Sequence, residues 1–285
     1  MKKILIICGP TATGKTKLAA SLAKKFSGEI ISADSRQVYQ GMDIVTGKDR
    51  PKGVKIHGLD LVKPDEEFSV AHFVKYAHSL INQIRFPIIV GGTGLYLNAL
   101  VNPPQTLTIP PDWQLRKKLE KKSIEQLQQQ LKKINPLKFA QMNHSDQQNP
   151  RRLIRAIEVV KFPQGPAFPS KRTDLNQYDT FWLGLTADNT TLAERIEARV
   201  KQRVKAGAVK EWQGLKTKYR PNLPSMSAIG YRQLPDVTKW IQAEQQYARR
   251  QLTWFKKNSN IHWFDTTKAF QSPVVNLVKA WYTKK

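Results

Sequence analysis

Cysteine is almost missing from this 285-residue chain. Its one thiol, Cys8, stands inside an apolar run, so neither a disulfide framework nor a cysteine-rich metal site can be built. Acid is scarce too. Twenty-two aspartates and glutamates face 47 lysines and arginines, a formal charge of +25 that exceeds the roughly 2–8 units sufficient for solubility. Long hydrophobic runs are lacking: no stretch reaches the roughly 18 apolar residues a membrane span needs. The opening Lys2-Lys3-Ile4-Leu5-Ile6-Ile7 superficially resembles a signal peptide, but its apolar run is short and leads straight into a glycine loop, so no leader is expected there. These absences exclude a disulfide-stapled secreted scaffold and a membrane-spanning protein, and the expectation is a cytoplasmic one. The charge asks for a polyanionic partner. Nucleic acid fits best, because neither a strong basic amphipathic membrane helix nor a lipidation motif stands out; a solvated basic surface is the plainer alternative.

Hydrophobic residues make up 40% of the chain, enough for one sizeable core plus a smaller second body. Five apolar runs read as central strands: Ile4–Cys8, Glu29–Ala33, Pro87–Val90, Phe181–Leu185 and Ile261–Phe264. Helical patterns at Lys17–Phe26 and Val70–Arg85 separate the first three. This alternation predicts an α/β fold with a parallel sheet buried on both faces. From residue 110 to 171 the pattern changes. Leu115, Leu119, Ile124 and Leu127, then Leu153, Ile154, Ile157 and Val160, recur at helical spacing among lysines and glutamines, punctuated by Asn135-Pro136, Asn149-Pro150 and a run of prolines from Pro163. This predicts a small helical insertion at 110–171 within a core made of 1–109 and 172–285. Thr190–Gln213 reads as a helix or helix pair whose charges are mostly a surface signature, and Gln242–Lys257 as the last long helix. Val274–Trp281 reads as packing or a loose end.

The most specific local signal is Gly9-Pro10-Thr11-Ala12-Thr13-Gly14-Lys15-Thr16, set between a strand and a helix. That context makes it a phosphate-binding loop: successive amides and the helix N-terminus surround an anion, Lys15 reaches its outer oxygens, and the Thr16 hydroxyl can hold a divalent cation. Thr11 and Thr13 add possible donors. The loop does not choose between a nucleotide and another pyrophosphate. The second strand runs into Asp34-Ser35-Arg36-Gln37-Val38-Tyr39. Carboxyl ends of parallel strands line the ligand crevice, so Asp34 is expected across from the loop, able to take a proton, with Ser35 beside it. A turn-capping carboxylate is the alternative for Asp34. Arg36, Gln37 and Tyr39 offer anion, amide and stacking contacts. Thr93 and Tyr96 follow the third strand in Val90-Gly91-Gly92-Thr93-Gly94-Leu95-Tyr96, and packing is an equal alternative for Tyr96.

These blocks, joined in order by Phe68–Phe73, Asn149–Val159, Ala228–Leu234 and Tyr247–Phe255, resemble the bacterial tRNA dimethylallyltransferase (isopentenyltransferase) family over roughly 250 residues. The resemblance implies a P-loop prenyltransferase that moves a dimethylallyl group from dimethylallyl diphosphate to the exocyclic amine of the adenosine just 3′ of the tRNA anticodon, with Mg2+ assisting and pyrophosphate leaving. In that reading Asp34, Thr11, Lys15 and Arg155 are catalytic. Gly9 to Thr16, Arg155 and Arg232 hold the donor, and Thr16 serves the metal. Ser35, Arg36, Gln37, Tyr39, Thr93, Tyr96, Arg151, Arg152 and Gln251 meet RNA. The insertion, with Pro166, Phe168, Pro169 and Ser170 in a turn after its last helix, folds over the anticodon stem-loop. A monomer without membrane attachment is expected. The sequence departs from the family pattern where Glu244-Gln245 replaces a typical Thr-Arg pair. His57 and His72 do not establish zinc, since no ligand cluster accompanies them. The rival reading, a nucleotide or small-metabolite kinase using the same loop for ATP, does not explain the basic insertion.

Lys117, Lys118, Lys121, Lys122, Lys132, Lys133 and Lys138 supply the insertion with a non-specific field. Exchanging four of them for glutamine is expected to weaken tRNA binding and flatten its salt dependence, lowering the slope of log K against log salt by about one for each phosphate no longer neutralised. Filter binding across a salt series reads it, and an unchanged slope places the RNA footprint elsewhere.

Overall fold

The computed structural model describes residues 1–162 and 178–284. In chain order its strands and α-helices are β1 (Lys2–Cys8), α1 (Lys15–Phe26), β2 (Glu29–Ser32), β3 (Ile56–His57), α2 (Val70–Ile81), β4 (Pro87–Val90), α3 (Gly94–Val101), α4 (Trp113–Leu119), α5 (Ile124–Ile134), α6 (Pro136–Ala140), α7 (His144–Gln147), α8 (Pro150–Lys161), β5 (Tyr178–Thr186), α9 (Asn189–Lys205), α10 (Ala208–Lys218), α11 (Val237–Phe255), β6 (Ile261–Asp265) and α12 (Gln271–Thr283). The chain divides into two compact units, one of Met1–Asn102 with Leu175–Lys285, the other of Pro103–Asp174.

The first unit is a six-stranded sheet of order β3-β2-β4-β1-β5-β6 with every neighbouring pair parallel. All five expected strands are present. The sixth, β3, has two residues, too few for any periodicity to mark it. Ile4 to Cys8 and Ile88 to Val90 are buried, as continuous apolar strands between two helical layers must be. On one face α1 and α12 cover Leu5, Ile7, Ile30, Ile88 and Leu183, with Phe26, Phe86, Trp281 and Tyr282 packed ring against ring. Val274 and Val278 are fully buried there, so the end of the chain is part of the core. A second cluster joins Val38, Met42 and Val45 to Ile196, Val200, Leu215 and Trp240, from α9, α10 and α11. Helix α11 starts five residues earlier than its apolar pattern indicated, because the Asp236 carboxylate caps it by accepting from the Lys239 amide at 2.9 Å.

Register decides where function can sit. Ser32 of β2 and Ile7 of β1 both pair with Val90 of β4. The carboxyl ends of these three adjacent strands therefore stop at one level, and the segments after Cys8, Ser32 and Val90 emerge side by side.

The second unit is helical. Leu119, Leu127, Leu131, Leu153, Ile154 and Ile157 form its core. Its helices begin at side-chain caps: Asp112, Ser123, Asn135, Asn143 and Asn149. Glu158 is buried and takes a forked pair of bonds from Arg116, Nε to Oε1 and Nη2 to Oε2, both 2.8 Å. The expected turn at Pro166, Phe168, Pro169 and Ser170 lies outside the described residues.

Phe86 is fully buried against α1 and α12. Replacing it by alanine is expected to lower the unfolding free energy by about 3–5 kcal/mol, read from the shift of the urea midpoint. A change below about 1 kcal/mol would show that the C-terminal helix does not depend on this contact.

Candidate active site

The loop after β1 is shaped from behind. Gly9 has φ +130°, and a Cβ there would run into the backbone carbonyl of Leu185 on β5, so the chain can leave the sheet here only as glycine. Gly14 starts α1 in the left-handed region with no side-chain cap, and the first turn of α1 carries no acid. The first amides of the helix are thus left open to an anion. Thr13 is buried and spends its hydroxyl on Pro10 O at 2.9 Å. Lys15 Nζ donates to the same carbonyl at 2.5 Å. Burial, and then the positive charge of Arg199, push the Lys15 ammonium down to about 8. Gln251, from α11, ties the loop to the next strand end: its Oε1 accepts from the Thr11 amide and its Nε2 donates to Gly92 O, both at 2.9 Å.

Asp34 follows β2 and lines the same cavity of about 640 Å³ as Thr11, Lys15 and Thr16. One oxygen, Oδ1, accepts from the Arg36 amide at 2.8 Å. Asp34 therefore does cap its turn, and that bond also fixes its carboxylate. Its negative charge is felt by Lys15. Ser35 is held by the bond from its amide to Thr93 Oγ1 at 3.3 Å. Arg36 donates to Pro224 O at 2.6 Å, and Gln37 donates to Gly47 O at 3.0 Å while accepting from Ser32 Oγ at 3.0 Å. Arg36 and Gln37 line the cavity and also brace it, Arg36 against Pro224 and Gln37 against Gly47.

The cavity's other cations were not legible in the sequence. Arg195, Arg199 and Arg203 lie four residues apart on α9, which places them on one face. That spacing, directly beside the apolar stripe Leu192, Ile196, Val200 and Val204, was the available signal. Charge alone made the segment look like solvent-facing surface. Arg199 Nη1 donates to Thr11 Oγ1 at 2.9 Å, and Arg195 is anchored on Thr266. Arg203 is buried and paired with Glu244. Tyr247 and Arg250 of α11 complete this wall. Burial, with the Asp34 charge, pushes the Tyr247 phenol up to about 12, so it stays protonated and can donate.

Other expected residues of this unit do not line the cavity. Tyr39 is buried in the second core cluster and Tyr96 is stacked on Phe73 with centroids 4.5 Å apart; neither lines the cavity. Arg232 is exposed outside it. Arg151, Arg152 and Arg155 belong to the helical unit. There Arg155 donates to Thr106 O and Ile109 O at 2.8 Å each and pairs with Glu158, while Arg152 pairs with Asp146. His57 meets Glu29, and His72 closes a capping box with Ser69. Among the described residues no group of three or more His, Cys, Asp or Glu gathers as a metal site, and no helix is long and apolar enough to cross a membrane.

Comparison with known proteins gives one consistent result. A family model described as IPP transferase matches residues 37–258, and one described as isopentenyl transferase matches residues 2–63. A tRNA dimethylallyltransferase of Alkaliphilus oremlandii is 39% identical over 292 residues, covering 93% of this chain and 91% of that protein. One from Geobacillus thermodenitrificans is 39% identical over 290 residues, with the same coverage. The crystal structure of a tRNA isopentenylpyrophosphate transferase from Bacillus halodurans superposes with a TM-score of 0.73 at 35% identity, covering 98% and 96% of the two chains. A eukaryotic dimethylallyltransferase acting on tRNA gives a TM-score of 0.80 at 26% identity, covering 98% of this chain and 78% of that one.

Lys15 carries its charge only below about pH 8. The affinity for inorganic pyrophosphate is therefore expected to hold at lower pH and to fall as pH rises through about 8, with Lys15→Ala weaker throughout and lacking that inflection. Calorimetric titration between pH 6.5 and 9.5 reads it, and a wild-type profile flat to pH 9.5 would remove Lys15 from anion capture.

Proposed function

The chain belongs to the IPP transferase family of tRNA dimethylallyltransferases, and from that premise we propose how its own residues carry the reaction. The donor is dimethylallyl diphosphate and the acceptor is the exocyclic amine of the adenosine 3′ of the tRNA anticodon. The observation that carries the assignment of roles is the meeting of Asp34 with the phosphate loop in one cavity, set by the common level of three strand ends.

The open amides at the start of α1, with Lys15 and Arg199, hold the diphosphate. The allylic carbon–oxygen bond breaks with its electron pair going to the diphosphate, and these cations meet the charge as it grows. The amine nitrogen forms the new bond to the allylic carbon, and its proton passes to the Asp34 carboxylate, whose Oδ1 is oriented by the Arg36 amide. Thr11, held between Arg199 and Gln251, sits where donor and acceptor meet. Holding both reactants in one cavity supplies much of the rate by positioning. An anticodon-loop base reaches such a cavity by leaving its stack. The exposed lysines and Arg151 and Arg152 of the helical unit serve the RNA backbone.

The oxygen donors fit Mg2+. Thr16, with Asp34 and Asp49 on the cavity wall, suits an ion that keeps waters and binds mainly through substrate phosphates rather than a protein cage. When bound, it supplies further neutralisation of the leaving diphosphate.

Label transfer from radioactive dimethylallyl diphosphate to unmodified tRNA, mapped to the adenosine beside the anticodon, tests the function; ATP turnover without label transfer would favour a kinase. Asp34→Asn is expected to lower kcat by about 10²–10⁴ while inorganic pyrophosphate binds no more weakly than to wild type. Wild-type transfer by that variant takes the proton-accepting role away from Asp34.

A further inference from the structure

Three carboxylates, Asp34, Asp49 and Glu244, line a cavity whose purpose is to hold an anion. Asp34 has work in the reaction and Asp49 is exposed to water at the rim. Glu244 has neither explanation. It is 9% exposed and comes from the middle of α11. A buried carboxylate beside a diphosphate site opposes binding, and a charge so buried is expensive unless it is paired.

Its partner is Arg203 of α9, also 9% exposed. Arg203 Nη1 donates to Glu244 Oε1 at 3.4 Å, and Trp240 Nε1 donates to the same oxygen at 3.4 Å. The second carboxylate oxygen has no hydrogen-bond partner among the described residues. Both bonds are long, so the geometry is that of a charge held near a charge rather than of a tight bidentate clamp. The other arm of Arg203, Nη2, donates to Thr46 O at 3.3 Å. Gly47 follows with φ +66°, and a Cβ on it would overlap the guanidinium groups of both Arg203 and Arg199. The Thr46–Gly47 turn therefore lies directly on these two arginines, and Gln37 holds it from the other side. Arg203 is thus drawn toward a wall of the cavity and toward an acid, while its neighbour Arg199 reaches Thr11 in the phosphate loop.

We propose that Glu244 is a positioning residue that restrains Arg203 on the Thr46–Gly47 wall and cancels one unit of the cavity's positive charge, so that pyrophosphate can leave after transfer. The proposal rests on the reading of this cavity as the diphosphate site. The charges around Lys15 show that Glu244 is within reach of it: burial and then Arg199 push that ammonium down, while Glu244 is among the groups that act the other way. Glu244 therefore stands in electrical contact with the residue that meets the diphosphate.

The sign of the effect separates this role from a structural one. If the pair only braced the wall, breaking it would loosen the site and weaken anion binding. If Glu244 is a counter-charge, its neutral isostere frees a cation and tightens binding. Inorganic pyrophosphate is titrated calorimetrically into the full-length protein and three variants. Glu244→Gln is expected to bind it about five- to tenfold more tightly than wild type, the scale of one partly screened unit charge across a cavity. It is also expected to show a lower KM for the donor together with a lower kcat, as product release slows. Arg203→Met, which leaves Glu244 unpaired, binds more weakly. The double variant returns to within about twofold of wild type, as two opposed charge changes sum. Should Glu244→Gln not fold, Glu244→Thr carries the same expected sign. Binding by the neutral variants equal to or weaker than wild type overturns the inference while leaving the function intact. Failure of wild-type protein to bind pyrophosphate at all overturns the diphosphate reading beneath it.

Discussion

Everything in this protein's site depends on a matter of register. Because Ile7 and Ser32 both align with Val90 across two parallel ladders, the chain leaves β1, β2 and β4 at the same height. A one-residue slip would turn Ile7, Ile31 and Ile89 from one buried layer toward the other and move the following loops by more than about 3 Å. The apolar strands, buried on both faces, make such a slip costly. Core packing therefore fixes the spacing between the phosphate loop and Asp34, and Gln251 then locks the loop to the end of β4 through two backbone contacts. The geometry of the candidate site is in this sense a boundary condition of the sheet.

The half of the site supplied by the sheet was legible in sequence, and the half supplied by later helices was not. Gly9 to Thr16 is linear: strand, loop and helix are consecutive, so residue types and their positions in space coincide. Asp34 was legible for the same reason, as the first acid after a strand. Arg199, Arg203, Glu244 and Tyr247 come from helices far along the chain from that loop, and only tertiary packing tells which polar face of an amphipathic helix meets a cavity. Nearness to a motif is a weaker guide. Tyr39 and Tyr96 follow functional segments closely in sequence, yet each turns into apolar surroundings, Tyr96 onto Phe73. Arg155 shows a third limit. Its place on α8 suited an anion contact, but Thr106 O, Ile109 O and Glu158 already meet its guanidinium within the helical unit. The strand β3 escaped notice because two residues carry no alternation.

The helical unit shows how a small body can be stable while presenting so many lysines. Five side-chain caps satisfy helix amides that would otherwise need other partners, and one buried carboxylate, Glu158, gathers Arg116, Arg155 and the Asp112 amide. With its interior held by these bonds and a compact leucine and isoleucine core, Lys117, Lys118, Lys121, Lys122, Lys132 and Lys133 remain exposed. Their self-repulsion is offset when a polyanion arrives, which couples RNA binding to salt rather than to the integrity of the unit.

The overall excess of positive charge raises a difficulty that the cavity must solve locally. A site built from helix amides, Lys15 and a row of arginines captures a diphosphate readily, and for the same reason it retains the pyrophosphate left behind. Lowering the charge by deleting an arginine would also surrender the stabilisation of the departing group. An internal acid answers both demands. On the proposed reading it leaves Arg199 and Lys15 directed at the phosphates while reducing the net field that holds the product. Burial, and then Arg199 beside it, lowers the Lys15 ammonium, and the burial of Glu244 beside Arg203 places the compensating charge where bulk solvent screens it least.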